Sequence, residues 1–552
     1  MSISNAAISD MFSLLSKLMD IHQENSFKSK SYSSAAFSID KLQEPLAAIE
    51  KNQIALLNGI GVSTATKIIE ILDTGKLQIL EDLIGKTPSG VLEMLQIKGL
   101  GPKKISTIWK EMGIESIGEL LYACQENRLT LYKGFGEKTQ KNVADAIEFM
   151  MKHQGHFLFA SVESYVHHIQ AVLKTQFPNE QMLPAGDFAR QIPTLETIDW
   201  VTDISAETLN GWLTQQGLET ELVQQNKLIA QSPEGIPLCF HFTTKDEFVQ
   251  QLFKLNCSAD FFEHFSQQYP EALNGIEKEE DAFMKAGVTP LPVYLRESAN
   301  QLNLNKEFID NIIQPNDIRG IIHSHSNWSD GTNSIEEMVK ACIQRGLEYL
   351  IISDHSKTAF YANGLTEERV KAQHQLIDEL NLKYAPFRVF KSIESDILND
   401  GSLDYPDYFL KTFDMVIASV HSNLKMPLDK AMIRLLKAIE NPHTTILGHP
   451  TGRLLLSREG YPLDHEQIID ACVANNVVIE INAHPRRLDL DWKWIARAQE
   501  KGAILSINPD AHHIDGFEDT RYGVLAAQKG GLQRQNNLSS WSLAEIEKYL
   551  MK

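Results

Sequence analysis

Between residues 317 and 552, histidines and carboxylates recur at one kind of place, directly after a short apolar run. Ile321-Ile322 leads into His323-Ser324-His325, with Asp330 in the next loop; Ile351-Ile352 leads into Asp354-His355; Ile393 is followed by Glu394. His421 follows Val420, Gly448-His449 follows Leu447, and Ile507 leads into Asp510-Ala511-His512. Residues i and i+2 of an extended chain share a face, so His323 with His325, and Asp510 with His512, are expected to offer two ligands each to one centre. A single histidine in such a place is usually a hydrogen-bonded structural residue. Nine of these positions, all but Asp354, follow one repeating pattern and point instead to a shared site. Imidazole and carboxylate donors without thiolate suit Zn²⁺, Mn²⁺ or Fe²⁺, and since each ion takes only ~4 to 6 ligands, nine donors imply two or three ions. Such centres hydrolyse phosphoesters by lowering the pKa of water and clamping phosphoryl oxygens.

The elements that must position these residues are themselves readable. Ile321-Ile322, Tyr349 to Ile352, Val389 to Ile393, Met415 to Val420, Thr445 to Leu447, Val477 to Ile481 and Ala503 to Ile507 are short apolar runs, most of them separated by helical patterns. This βα alternation predicts a parallel sheet, and seven repeats predict a barrel whose chemistry collects at the C-terminal strand ends. Closure would set the first and last strands side by side.

The first third carries a different signal. Leu57-Asn58-Gly59-Ile60-Gly61, Ile97-Lys98-Gly99-Leu100-Gly101-Pro102-Lys103-Lys104 and Tyr132-Lys133-Gly134-Phe135-Gly136-Glu137-Lys138 each precede a helical pattern. Gly-apolar-Gly makes a tight turn between two helices and exposes backbone N–H groups at the second helix's N-terminus, where the macrodipole favours an anion. Three copies with nearby lysines predict a helix-hairpin-helix region that holds DNA phosphates through Gly59, Gly61, Gly99, Gly101, Lys103, Lys104, Gly134, Gly136 and Lys138. Upstream, Ile8, Met11, Phe12, Leu14, Leu15, Leu18 and Met19 fall at helical spacing without a basic start or small-residue cleavage site, which predicts a docking helix rather than a signal peptide.

At 552 residues the chain exceeds one hydrophobic core, and no apolar run approaches the ~18 residues of a membrane span. A net charge of −20 argues against indiscriminate adhesion to nucleic acid, so any such contact must be local. Five cysteines without CxxC spacing, Cys124, Cys239, Cys257, Cys342 and Cys472, suit reduced packing thiols in a cytoplasmic setting.

Residues 317–552 resemble the polymerase and histidinol phosphatase (PHP) domain in the version attached to bacterial family X DNA polymerases. The resemblance rests on His323 to Gly331, Ser353-Asp354-His355-Ser356, Ala362-Asn363-Gly364-Leu365, Glu394 with Asp396, Val420-His421-Ser422, Gly448 to Arg453, and Asn508-Pro509-Asp510-Ala511-His512. It implies a distorted seven-stranded β/α barrel and Mn²⁺-preferring 3′-to-5′ exonuclease activity. It also implies one ion on His323, His325, Glu394 and Asp510, a second sharing Glu394 with His421 and His449, and a third on Asp330, His355 and His512. Arg453 would suit a substrate phosphate, the alternative being a surface salt bridge; Lys357 is a weaker version of the same idea. His484 stands where the family commonly has Asn and is expected behind the ligands at most.

The first 300 residues resemble the remainder of such a polymerase, but with departures. The family's Gly-Ser-x-Arg-Arg reads Gly186-Asp187-Phe188-Ala189-Arg190, which loses one Arg and adds a carboxylate beside the expected triphosphate. The family's Glu-Thr-x-Gly-Asp-x-Asp reads Glu196 to Thr202 with only Asp199 retained, Cys239 stands where a third carboxylate is expected, and the thumb's Phe-Thr-Gly-Ser reads Phe253-Lys254-Leu255-Asn256. Without paired carboxylates a two-metal nucleotidyl transfer has nothing to hold Mg²⁺. Lys67 falls at the position of the family's Schiff-base lysine; DNA binding is the simpler role for it.

The sequence therefore predicts a multidomain α/β protein. Its parts are an all-α helix-hairpin-helix region at 1–150, an α+β nucleotidyltransferase-like palm and thumb at 151–312, and the barrel at 313–552. The expected function is Mn²⁺- or Zn²⁺-dependent 3′-to-5′ exonuclease or 3′-end processing in DNA repair, extending to abasic-site cleavage, on DNA with 3′ ends, gaps or abasic sites. The alternatives are a gap-filling polymerase that uses Mg²⁺ at Asp199, and a small-molecule phosphomonoesterase of the histidinol phosphatase type. A purely structural DNA-binding protein fits least, because it has no use for nine ligands.

Overall fold

The structure, a computed structural model, describes residues 3–42, 44–151, 155–224 and 226–551. The chain divides into two compact units, Met1–Gln125 with Tyr132–Glu148, and Glu126–Leu131 with Phe149–Lys552. Among the described residues no helix is long and apolar enough to cross a membrane.

The first unit is helical. Its leading helix, Asn5–Ile21, is capped by the Ser4 hydroxyl and buries Ile8, Phe12, Leu15 and Leu18, as a docking helix should. The three glycine motifs form the same turn. Gly59, Gly99 and Gly134 have φ of +84°, +94° and +96°, and the residue after each donates its N–H three positions back, Ile60 to Leu57, Leu100 to Ile97 and Phe135 to Tyr132. Only glycine adopts that conformation without a Cβ penalty. The apolar residue between the glycines is buried each time, and the helices Val62–Thr74, Pro102–Lys110 and Glu137–Met151 start immediately after the second glycine.

Among the described residues the second unit contains two large sheets besides the short antiparallel pair Phe157–Leu158 with Thr194–Leu195. Strands β1 (Met182–Ala185), β2 (Ile198–Thr202), β3 (Thr220–Gln224), β4 (Lys227–Gln231) and β5 (Pro237–Phe242) lie in the order β1-β2-β5-β4-β3, with only the β2/β5 pair parallel. The other sheet is parallel throughout: β6 (Gly320–Ser324), β7 (Tyr349–Ile352), β8 (Arg388–Asp396), β9 (Met415–Ser419), β10 (Ile446–Leu447), β11 (Val478–Asn482) and β12 (Leu505–Asn508), neighbours in chain order. All seven coincide with the apolar runs of the sequence. The ends approach closure, since Ser324 bridges Ala511 and the His325 N–H donates to the Ala511 carbonyl at 2.8 Å.

Alternation along these strands sets the site. One face carries Ile322, Ile351, Phe390, Ile417, Ile446 and Val478, packed together and covered by Leu538 and Ile546 of the C-terminal segment. The opposite face carries Ile321, Leu350, Ile352 and Val389 against the helices Ile335–Gln344 and Glu367–Tyr384. On the first face the residues nearer the C-terminal strand ends turn polar, with Ser392 and Glu394 on β8, Ser419 on β9, Glu480 and Asn482 on β11, and Ser506 and Asn508 on β12, all buried. The core fills the base of the barrel, and the polar rim above it is the site.

Candidate metal centre

Glu394, 1% exposed, lies at the middle of the rim. Its Oε1 is 3.2 Å from His323 Nε2, 3.1 Å from His421 Nε2 and 3.1 Å from His449 Nε2, and its Oε2 is 2.9 Å from His355 Nδ1. Asp510 Oδ1 is 3.4 Å from His323 Nε2 and 3.0 Å from His325 Nε2; Asp330 is 3.5 Å from His355 Nε2 and 3.4 Å from His512 Nε2. All nine predicted ligands therefore converge.

Two details depart from the sequence reading. Simple alternation would send His323 to the helix-facing side after Ile322. Instead β6 carries one extra residue between Ile321 and Ser324 relative to β7, and His323 takes φ +62°, so a bulge turns its ring inward. Asp510 likewise stands at φ +53° beyond the end of β12. Each such residue costs of order 1–3 kcal/mol, which the surrounding hydrogen bonds must offset. Second, the three expected sets overlap beyond the sharing of Glu394. His325 groups with Asp330, His355 and His512 as well as with His323 and Asp510, and His355 groups with Glu394 and His421. His325 and His355 thus link neighbouring positions by using both ring nitrogens.

A second layer, mostly missed in the sequence reading, fixes the rings. Glu480, wholly buried, takes His323 Nδ1 at 2.6 Å and the His449 backbone N–H at 2.9 Å. Asp396 takes His421 Nδ1 at 2.5 Å, and Glu126 lies 2.5 Å from His512 Nδ1. A carboxylate on one imidazole nitrogen fixes the tautomer and leaves the other nitrogen as a donor toward a metal. Glu480 had a sequence signal, a lone acid inside an apolar strand. Glu126 had none, because it is far from His512 in sequence. Asp354 organises the 326–330 loop, accepting from Ser326 N–H at 2.8 Å, the Ser326 hydroxyl at 2.6 Å, the Ser329 hydroxyl at 2.5 Å and Gln373 at 2.6 Å.

The residues fit metal ions on evidence internal to the site. His323 Nε2, His325 Nδ1, Asp330 Oδ2 and Glu394 Oε2 are buried and, despite these short separations, make no hydrogen bond of acceptable angle. Orphaned buried polar atoms are costly, and here they converge. Electrostatics agree. Burial pulls His355 down, but Asp330 and Glu394 outweigh it and hold the ring at about 10. Burial first, then His512 and His355, push His325 down to about 3. Burial would raise Glu394, yet His421 and His323 keep it well below the usual range.

Other predicted residues lie elsewhere. Arg453 donates its Nε to the Arg487 carbonyl at 2.9 Å and pairs with Asp491 and the Leu488 carbonyl, so its fork is held by protein. Arg487 is nearer the centre, with Nε 3.8 Å from Asp510. Lys357 stands over the Tyr405 ring, and His484 accepts the Arg486 N–H at 3.2 Å, behind the ligands. Lys67 lies half-buried on the helix Val62–Thr74, its ammonium 5.7 Å from the Tyr32 ring centre. Asp199 pairs with Cys239 across β2 and β5, in register, and Arg190 is tied to Asp187 and, at 3.1 Å, to Glu297.

Comparison with known proteins adds the family. Residues 322–484 match the PHP domain, residues 3–77 a helix-hairpin-helix domain, and residues 91–148 a SAM-like helix-hairpin-helix tandem. The DNA polymerase/3′-5′ exonuclease PolX of Bacillus subtilis is 33% identical over 97% of both chains. The chain belongs to the bacterial family X DNA polymerases with a C-terminal PHP domain. The PHP part alone is also similar to probable phosphatases. That of Caldanaerobacter subterraneus subsp. tengcongensis is 28% identical over 34% of this chain and 74% of its own length, and one from Thermoanaerobacter sp. is 28% identical over 41% and 92%. The family is one of enzymes with hydrolase and nucleotidyltransferase activity, with helix-hairpin-helix DNA-binding motifs and a metal-dependent PHP domain.

Proposed function

We propose that this chain is a Mn²⁺- or Zn²⁺-dependent phosphoesterase acting on DNA 3′ ends, chiefly a 3′-to-5′ exonuclease in repair. On this reading the PHP centre is its main catalytic site and nucleotidyl transfer is lost or weak. The observation that carries it is the gathering of five histidine rings around Glu394, linked through Asp330 and Asp510 to His512, with Glu480, Asp396 and Glu126 behind them. His323, His325, Asp330, His355, Glu394, His421, His449, Asp510 and His512 would hold two to three ions. Bound there, the ions supply Lewis acidity that lowers the pKa of water and polarises phosphoryl oxygens. The chain's own contributions are positioning. Glu480 and Asp396 hold imidazole tautomers, Asp354 pins the loop bearing Asp330, and Arg487 brings positive charge beside Asp510 for a phosphate. The glycine turns with Lys103, Lys104 and Lys138 would hold the sugar-phosphate backbone, and Lys67 adds to that binding. Cleavage at abasic sites follows from the same centre acting on an internal phosphodiester.

His323→Ala and Asp510→Ala should each abolish Mn²⁺-dependent shortening of a 3′-labelled oligonucleotide; undiminished shortening by either would overturn the assignment. A gap-filling polymerase is the second reading, favoured by the name of the Bacillus subtilis relative and by Asp199 on β2. Template-directed incorporation abolished by Asp199→Ala would establish it. The phosphatase relatives raise a third reading, a phosphomonoesterase, which predicts faster turnover of a small phosphomonoester than of a 3′-recessed duplex.

A further inference from the structure

The parallel β2/β5 pair places three potential ligands at one point, away from the PHP centre. Asp199 and Cys239 are partners across the pair, and His241 lies two residues along β5 on the face of Cys239. His241 Nε2 is 2.7 Å from Asp199 Oδ1 and 3.4 Å from Cys239 Sγ, and all three ligand atoms lie within 4.8 Å of one another.

The choice of atom discriminates between the uses of such a trio. A Cys-His-Asp catalytic relay needs the acid on one imidazole nitrogen and the thiol on the other. Here both contacts are made to the same Nε2, so the donors point at one another rather than along a chain. Convergence of O, N and S on one point is what a bound cation requires. With metal–nitrogen and metal–sulfur bonds of ~2.0 and ~2.3 Å, neighbouring donors in a tetrahedral site stand about 3.3 to 3.6 Å apart. The Cys239–His241 separation already has that value, and the Asp199–His241 pair must open by about half an ångström. We infer that Asp199, Cys239 and His241 form a second metal site, which takes one thiophilic ion of the Zn²⁺ class rather than Mg²⁺. Thiolate and imidazole donors disfavour a hard ion. The His241 and Asp199 side chains are 15% and 22% exposed, which leaves solvent a path to a fourth position.

The neighbours set the terms of binding. Lys227, opposite His241 on β4, reaches Cys239, and Thr197 donates to Asp199 at 3.4 Å. Gly186, at φ +66°, leaves no room for a Cβ, which would sit 2.9 Å from the Asp199 carboxylate. Only the thiolate ligates, so uptake of an ion there releases the Cys239 thiol proton.

The PHP ligands include no sulfur, which makes the test specific. The full-length chain is loaded with Co²⁺ and its near-ultraviolet absorption is recorded. A thiolate-to-cobalt charge-transfer band is expected in the wild type and lost in Cys239→Ser. The number of ions retained per chain after dialysis should fall by one in Cys239→Ser, and Mn²⁺-dependent nuclease activity should be unchanged. A wild-type chain without the band, or a band that persists in Cys239→Ser, overturns the inference. The wild-type spectrum decides even if the variant misfolds. Loss of nuclease activity in His323→Ala with the band intact would separate this site from the PHP centre.

Discussion

Replacing Glu480 by Gln removes one charge and almost no volume, yet it should weaken the centre's metal uptake. All four groups on Glu480 are donors. Oε2 takes His323 Nδ1 at 2.6 Å and Asn508 Nδ2 at 2.8 Å, and Oε1 takes the His449 N–H at 2.9 Å and Asn482 Nδ2 at 3.2 Å. A glutamine NH₂ must therefore face two donors whichever way it is turned. If it faces His323, the ring can accept that hydrogen only by shifting its own proton to Nε2, the atom 3.2 Å from Glu394 that has to bind metal. If it faces His449, a buried backbone N–H is left unsatisfied, at ~1–3 kcal/mol. Loss of a carboxylate behind a ligating histidine typically costs ~10–100-fold in metal affinity. The concentration of Mn²⁺ giving half-maximal exonuclease rate should rise by that factor, with much of the rate restored at saturating Mn²⁺. An unchanged Mn²⁺ requirement in a folded Glu480→Gln protein would refute the reasoning, and a loss of rate that Mn²⁺ cannot restore would mean Glu480 acts otherwise than through His323.

Three further outcomes are expected. Gly331→Ala should raise the Mn²⁺ requirement, because its Cβ would fall 2.2 Å from the His325 carbonyl oxygen and must displace the backbone between His325 and Asp330; a metal titration checks it. Burial pulls Lys529 down to about 8 although Glu297 lies 2.6 Å away, so below pH 8 the folded state holds a charge it disfavours. Stability gained as pH rises from there to the ordinary lysine value should amount to about 3 kcal/mol at most. Measured by urea unfolding, the stability of the wild type should therefore rise relative to that of Lys529→Met by ~1.4 kcal/mol per pH unit across that window, and a constant difference would contradict it. Lys103→Glu with Lys104→Glu should weaken duplex binding and flatten its salt dependence by ~1 to 2 in log–log slope, measured by fluorescence anisotropy.

The barrel was legible in the sequence because parallel strands buried on both faces read as unbroken apolar runs, and Tyr349 to Ile352 matches its strand to the residue. The gathering of the candidate ligands was legible because a polar residue directly after such a run must sit at the strand end. What periodicity could not supply was a change of phase. The bulge that turns His323 inward depends on a positive φ that no residue type at that position announces. Long-range pairs were equally silent. The hold of Asp491 on Arg453 requires the 487–491 segment to fold back on the 449–453 loop, and Glu126 reaches His512 only in three dimensions. Cys239 beside Asp199 was expected, whereas His241 was passed over although alternation puts it on the same face as Cys239.

The charges around Glu394 lead to a last expectation about how the PHP centre takes up metal. Burial opposes ionisation of every ring there, yet His323, His355, His421 and His512 are all held above their ordinary value, because Glu480, Asp510, Asp330, Asp396, Glu126 and Glu394 outweigh it. His325 and His449 are held low, by burial and by the positive groups beside them. In the metal-free chain, imidazolium protons thus take the place of divalent ions as counter-charge to the carboxylates. Metal binding must expel them, since only neutral imidazole ligates. Protons therefore compete as long as the rings remain charged, which for His355 extends to about 10. The apparent Mn²⁺ affinity should climb across the whole range from about pH 6 to 9, by more than about tenfold per unit wherever more than one proton is expelled, instead of levelling off just above the ordinary histidine value. Titration calorimetry in buffers of different ionisation enthalpy counts those protons directly. Release of fewer than one per chain near neutral pH would mean that the carboxylates do not hold the rings charged, and the electrostatic account of the centre would fail with it.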